Sequence, residues 1–242
     1  MVRTSALQIP VLALMLLAFL GPLSSTGTGQ ILPGFDRPVK TRSTRSPVLA
    51  KRGMVCASQP LAAEAGIALL RRGGNAFDAA VGAAAVLNVV EPMSTGIGGD
   101  MFALAWPARE GKLVGLNGSG RSASTATIER FRAKGHSRVP VHGADSVTVP
   151  GAFHGWVTLH SKYGKLPLDV VLSDAIRHAE EGFPVSEVIA ADWRAALEHK
   201  GVPEFAAAYL VADGDSLRPP RHGEVFRQPD LARTFKALAT GG

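Results

Sequence analysis

Two stretches of this sequence carry residue types at spacings that chemistry can use. The first is Pro92 to Asp100, PMSTGIGGD, in which Gly96, Gly98 and Gly99 crowd together. Glycines this close let the backbone approach another chain segment or a ligand. The spacing meets neither the dinucleotide fingerprint nor the P-loop, and no helix is predicted after it to face an anion. A site loop and a tight turn in a packed core both remain open readings. The second is Arg121, in LNGSGRSAS, held after a strand by Gly118, Ser119 and Gly120. A guanidinium in that place can grip a carboxylate through two parallel hydrogen bonds, and the plainer alternative is a solvated or structurally paired arginine.

Other reactive types give less. The histidines form no HExxH pattern, and His154 and His160 do not share a face of the helix that should carry them. Ser58, Ser94 and Ser119 sit in no GxSxG elbow, so no serine triad can be argued. Cys56 is the single cysteine, which rules out an intrachain disulfide and a cysteine metal cluster, and is expected to be a small buried hydrophobe.

These residues must be positioned by regular elements. A strand is expected near Met54 to Ala57. A helix capped by Ser58, with Pro60 in its first turn, should bury Leu61, Ala65, Ala68 and Leu69 on one face and stop at Gly73-Gly74. A second helix starts at Asn75 with Asp78 as capping-box partner, and runs to a stop at Pro92. It is apolar on nearly every face, so it must be enclosed, with Gly82 and its alanines allowing close approach. Met101 to Trp106 and Lys112 to Leu116 read as a hairpin that Asn117-Gly118 ends. Ser146 to Val149 reads as a strand that Pro150-Gly151 turns into a helix bearing Phe153, Trp156, Val157 and Leu159. Helices are expected at Asp169 to Glu180 and Glu187 to Glu198, and residues 200 to 230 give weak signals. Hairpins beside helices make the class α+β or layered α/β, without internal repeats.

The chain has 242 residues, 46% hydrophobic and 19% charged, which is the composition of a globular protein. Its formal charge of +6 sits entirely in residues 1 to 52, where Arg3, Arg37, Lys40, Arg42, Arg45, Lys51 and Arg52 face only Asp36. The body is neutral, which excludes nucleic-acid binding by it. Residues 1 to 27 have a secretory layout, with Arg3, an apolar run from Ala6 to Leu20, and small residues after it. Export to a periplasmic, extracellular or membrane-associated location is expected, with a retained anchor as the alternative to cleavage. Residues 28 to 52 read as a basic, proline-containing linker and 53 to 242 as the folded body.

Gly53 to Asp100, GMVCASQPLAAEAGIALLRRGGNAFDAAVGAAAVLNVVEPMSTGIGGD, resembles the opening of the γ-glutamyltranspeptidase family. NGSGR at 117 to 121, SVTVPGAFHGW at 146 to 156, YGKLPL at 163 to 168 and AIRHAEEGFPVS at 175 to 186 agree with it in the same order. The resemblance covers Gly53 to Leu238. It implies the amino-terminal, large-subunit part of a four-layer αββα N-terminal-nucleophile hydrolase, a sandwich that 53 to 242 alone leave incomplete. Such precursors cut themselves, and the freed threonine, with its own α-amine as base, attacks a γ-glutamyl amide. A γ-glutamyl ester then passes to water or to an amino-acid or peptide acceptor, with glutathione as the usual substrate class and no cofactor. The family's Thr-Thr/Ser-His-type nucleophile motif occurs nowhere in the 242 residues, so the isolated chain is expected to be inactive without the small-subunit portion.

Residue by residue, the resemblance makes Arg121 the holder of the glutamyl α-carboxylate. Two departures bear on the same pocket. Typical members continue from this arginine with Glu-x-Ala-Pro, where this chain has Ser122-Ala123-Ser124, and Asp100 stands where glycine is common. They point to the alternative of an acylase for another acyl group, such as the glutaryl group of the related cephalosporin acylases. A noncatalytic remnant with an exposed sheet face is the third reading.

Overall fold

The computed structural model describes residues 47–241, all within one compact unit. The secretory segment and most of the basic linker, 1 to 46, lie outside the described residues. Eight α-helices are described: α1 Pro60–Arg71, α2 Ala76–Val90, α3 Ile128–Ala133, α4 Ala152–Tyr163, α5 Leu168–Glu181, α6 Glu187–Asp192, α7 Pro203–Tyr209 and α8 Pro229–Gly241. They are interspersed with three antiparallel pairs. These are β1 Met101–Ala105 with β2 Val114–Gly118, β3 Phe183–Pro184 with β6 Val225–Phe226, and β4 Val211–Asp213 with β5 Ser216–Arg218.

Helix α2 organises the body. Asn75 caps it, its side chain accepting from the amides of Phe77 and Asp78, and Asp78 accepts from the Asn75 amide at 2.7 Å, completing the expected capping box. Ten of its 15 residues are buried, among them Val81, Val86, Val89 and Val90. Each such valine contributes roughly 1.5–3 kcal/mol relative to exposure. Helices α1 and α5 pack on it, and α8 packs on α5. Gly82 lies so near that a Cβ there would meet the Val171 carbonyl at 3.0 Å and collide with Leu69. Helices, not a sheet, therefore make the close approach that its small residues permit. Phe183, Trp193 and Phe226 close the far side as an aromatic cluster, Trp193 and Phe226 meeting edge to face at 4.8 Å.

Several boundaries differ from the sequence expectation. Gln59, not Ser58, caps α1, accepting from the Leu61 amide, and Ser58 instead donates to Glu91 at the end of α2. The buried stripe of α1 is Ala62, Ala65, Gly66 and Leu69, so Ala62 replaces Leu61 and Ala68 is only half buried. Residues 54–57 form no strand, because no ladder partner reaches them among the described residues. Their burial still alternates: Val55 and Ala57 pack on the core, which turns Cys56 outward, and the cysteine is exposed rather than buried.

Asn117 and Gly118 lie inside β2, opposite Phe102 and Met101, and do not end it. Residues 144–146 form a 3₁₀ turn and 147–149 run without strand pairing, so the expected strand there is absent. The helix predicted through Glu198 tightens to 3₁₀ geometry at Trp193–His199, where the Trp193 indole turns inward and donates to the Tyr209 carbonyl at 2.9 Å.

The β1–β2 hairpin rests on α4, with Met101, Ala103 and Ala105 half buried. Its other face shows Phe102 and Leu104, 68% and 78% exposed, with Trp106 beyond them. Among the described residues, no helix is long and apolar enough to cross a membrane.

Candidate functional site

The glycine turn leaves the end of α2 and enters β1, and it is held at both ends. The Ser94 amide donates to the Glu91 carbonyl and the Gly99 amide to Gly96, each at 3.0 Å. The Gly99 carbonyl then accepts from Gly151 at 3.1 Å and Ala152 at 2.8 Å, satisfying the first free amides of α4. The turn thus does structural work and also borders open space. A cleft of about 710 Å³ is lined by Asn88 of α2, by Ser94 to Gly96, by Gly98 to Met101, by Ser146 to Thr148 and by Trp156 of α4.

Arg121 is tied to the segment that walls this cleft through its backbone. Beyond β2 the chain runs beside 148–149, where the Val149 amide donates to the Arg121 carbonyl at 2.8 Å and the Thr148 hydroxyl to Ser119 at 3.4 Å. This crossing explains the small residues in both motifs. A Cβ on Gly151 would fall on the Gly118 carbonyl and the Gly120 amide, and Gly120, at φ +73°, presses against the Val149 carbonyl. Arg121 therefore stands one residue from the wall that Thr148 forms. Its side chain is exposed, lies outside the cleft lining, and has no hydrogen bond or ion pair among the described residues. Asp100 lines the cleft and is exposed as well.

The wall itself is pinned by charge. Arg130 of α3 and Lys134, just past its end, both pair with Asp145, the former at 3.1 Å, and the Lys134 hydrogen bond holds the Asp145 carboxyl below its ordinary value. On the far end of α4, Asp78 is fully buried and accepts from the amides of Lys165 and Leu166 as well as Asn75. His160 is bound to the Leu166 carbonyl at 2.7 Å, so it serves this junction and not the cleft. No group of three or more His, Cys, Asp or Glu side chains suited to a metal occurs among the described residues. A second cavity, about 290 Å³, lies between Trp193, His199, Phe205 and Tyr209 and shares Pro92 and Met93 with the cleft. Burial pushes the Tyr209 phenol up.

The structure thus places Arg121 next to the segment that faces the turn across the cleft, two features that sequence reasoning singled out separately, and it adds Asn88 and Thr148 to the lining. Asn88 had a signal of its own, an amide in a helix otherwise almost wholly apolar.

The model of the γ-glutamyltranspeptidase family matches residues 62–242. The chain belongs to that family. Its curated relatives include the glutathione hydrolase-like YwrD proenzyme of Bacillus subtilis (strain 168), 39% identical over 198 residues, or 81% of this chain and 36% of the relative. The chain therefore spans about a third of the length of that proenzyme. Among solved structures, Helicobacter pylori γ-glutamyltranspeptidase aligns with TM-score 0.74 and 31% identity over 81% of this chain and 56% of that one. Cephalosporin acylase from Bacillus halodurans aligns with TM-score 0.66 and 42% identity over 83% of this chain and 39% of that one. The fold is that of this group of N-terminal-nucleophile hydrolases, of which the chain supplies a part.

Proposed function

We propose that the protein encoded by the whole reading frame around these residues cleaves γ-glutamyl amides of the glutathione class. In this reading a threonine outside the 242 residues attacks the amide, and the γ-glutamyl ester is released to water or to an amino-acid acceptor. Arg121 holds the α-carboxylate of the glutamyl group, and the glycine turn from Gly96 to Gly99 borders the acyl chain. The observation that carries the reading is the backbone pairing of Arg121 with Val149, which sets a cation without an internal partner beside the Thr148 wall of the cleft. The layout of residues 1 to 27 supports export before the enzyme acts.

A second reading, an acylase for glutaryl-type amides, is favoured by the 42% identity to the Bacillus halodurans cephalosporin acylase and by Ser122-Ala123-Ser124 after the arginine. Hydrolysis of a γ-glutamyl anilide and a glutaryl anilide by the protein from the whole reading frame separates them. Preference for the γ-glutamyl compound supports the first reading. Turnover of the glutaryl compound alone refutes it in favour of the second, and turnover of neither leaves the noncatalytic remnant.

A further inference from the structure

Pro92 and Met93 line two spaces at once, the glycine cleft and the cavity of about 290 Å³ bordered by the 3₁₀ turn Trp193–His199 and by α7. The walls of the two also touch. His142, on the same loop as Ser146 of the cleft, meets His199 of the cavity with ring centres 5.6 Å apart. Pro92 and Met93 together span at most about 7 Å of chain. A molecule held in the cleft need extend only about that far to enter the cavity.

The cavity is suited to a ring. Trp193, His199, Phe205 and Tyr209 line it and brace one another, with ring centres 5.2 Å apart for His199 and Phe205 and 4.9 Å for Phe205 and Tyr209. Trp193 is fixed by its hydrogen bond to the Tyr209 carbonyl and by its contact with Phe226. Walls held in this way are preformed, so a ligand ring loses its hydration there without a large ordering cost. An apolar cavity of about 150 Å³ takes up benzene, so this larger one has room for an aryl ring and a short linker. Charge narrows the choice. Glu198 in the lining is exposed and has no ion pair among the described residues, and no described lysine or arginine lines the cavity. A neutral or cationic ring is admitted, and a carboxylate beside it is repelled.

We propose that this aromatic cavity binds an aryl ring on the amine half of the amide, which makes arylalkyl amides preferred substrates. The proposal rests on the reading of the glycine cleft as the acyl site, and it holds for a glutamyl or a glutaryl acyl group alike. In turnover the nucleophilic oxygen bonds to the acyl carbon and the bond from that carbon to nitrogen breaks. The hydroxyl proton passes to the nitrogen, and the arylalkylamine leaves from the cavity. Water then releases the acyl group.

The test is steady-state hydrolysis by the protein from the whole reading frame of two pairs of amides, γ-glutamyl phenethylamide with γ-glutamyl ethylamide and glutaryl phenethylamide with glutaryl ethylamide. Within a pair only the ring differs. The phenethyl-to-ethyl ratio of kcat/KM should be roughly 10- to 100-fold in the wild type, the equivalent of burying one aromatic side chain. Ala195→Phe, which fills the cavity from an exposed position of its lining, and Phe205→Ala, which removes a wall, should each bring the ratio down toward unity. Should Phe205→Ala fail to fold, Ala195→Phe decides. A wild-type ratio near unity overturns the ring site while the acyl reading stands. A high ratio that survives both substitutions places the ring elsewhere and also overturns it. Turnover of none of the four amides removes the acyl reading, and the inference with it.

Discussion

Replacing Asp78 should be the most damaging single polar change in this chain. The side chain is fully buried, and its two oxygens accept from Asn75 at 2.7 Å, from Lys165 at 3.0 and 3.2 Å and from Leu166 at 3.3 Å. One carboxylate thus caps α2 and anchors the loop between α4 and α5 against it. Asp78→Ala strands three backbone amides at once, and at about 1–2 kcal/mol for each in a partly buried junction the loss is about 3–6 kcal/mol. That is a large share of the roughly 5–15 kcal/mol that holds a domain folded, so the alanine variant should show little folded protein at about 37 °C. Asp78→Asn keeps the shape but offers one acceptor oxygen and turns an amine toward a donor, for a loss of about 2–3 kcal/mol. Urea unfolding followed by circular dichroism reads both variants against the wild type. A loss below about 1 kcal/mol in Asp78→Asn would refute the claim that these amides depend on the carboxylate.

Other expectations follow from the same geometry. Arg121→Ala in the protein from the whole reading frame should raise KM for a γ-glutamyl anilide far more than it lowers kcat, at a cost of about 2–5 kcal/mol if the pair is desolvated, and unchanged kinetics would remove the residue from the site. Gly151→Ala should destabilise by about 1–3 kcal/mol, since its Cβ meets backbone at the Gly118 and Gly120 crossing and neither chain segment can yield alone; a neutral melting temperature would contradict the crossing. His178 is held below the ordinary histidine value by burial first and by Arg177 next. The unfolded state therefore takes up the proton first as pH falls, so this contribution is intact above the ordinary histidine range and is lost as pH drops through the lowered folded value. His178→Gln should flatten the fall in melting temperature between neutral pH and about pH 5, and an unaltered slope would assign that fall to other groups.

Much of the helical frame was legible because local rules and burial agree there. The Asn75–Asp78 capping box, the apolar α2, the Gly73 stop and the Pro150-Gly151 entry to α4 each have a short-range physical cause that the residues display. The misread segments are those whose state depends on distant partners. Residues 54–57 and 147–149 have strand-like patterns, yet a strand exists only where another chain segment completes its ladder. The outward direction of Cys56 has the same cause, since it follows from both its neighbours, Val55 and Ala57, packing on the core. In the site, the glycine turn and Arg121 stood out individually. Their approach through Val149 arises from contacts between segments far apart in sequence.

The central claim, that the cleft at the glycine turn is the acyl site, is tested most directly by a crystal structure of the protein from the whole reading frame with L-glutamate bound. The account predicts the ligand along Gly96 to Asp100, with its carboxylate on the Arg121 guanidinium. Glutamate seated elsewhere, for example between Trp193 and Tyr209, with Arg121 still facing solvent, would contradict it.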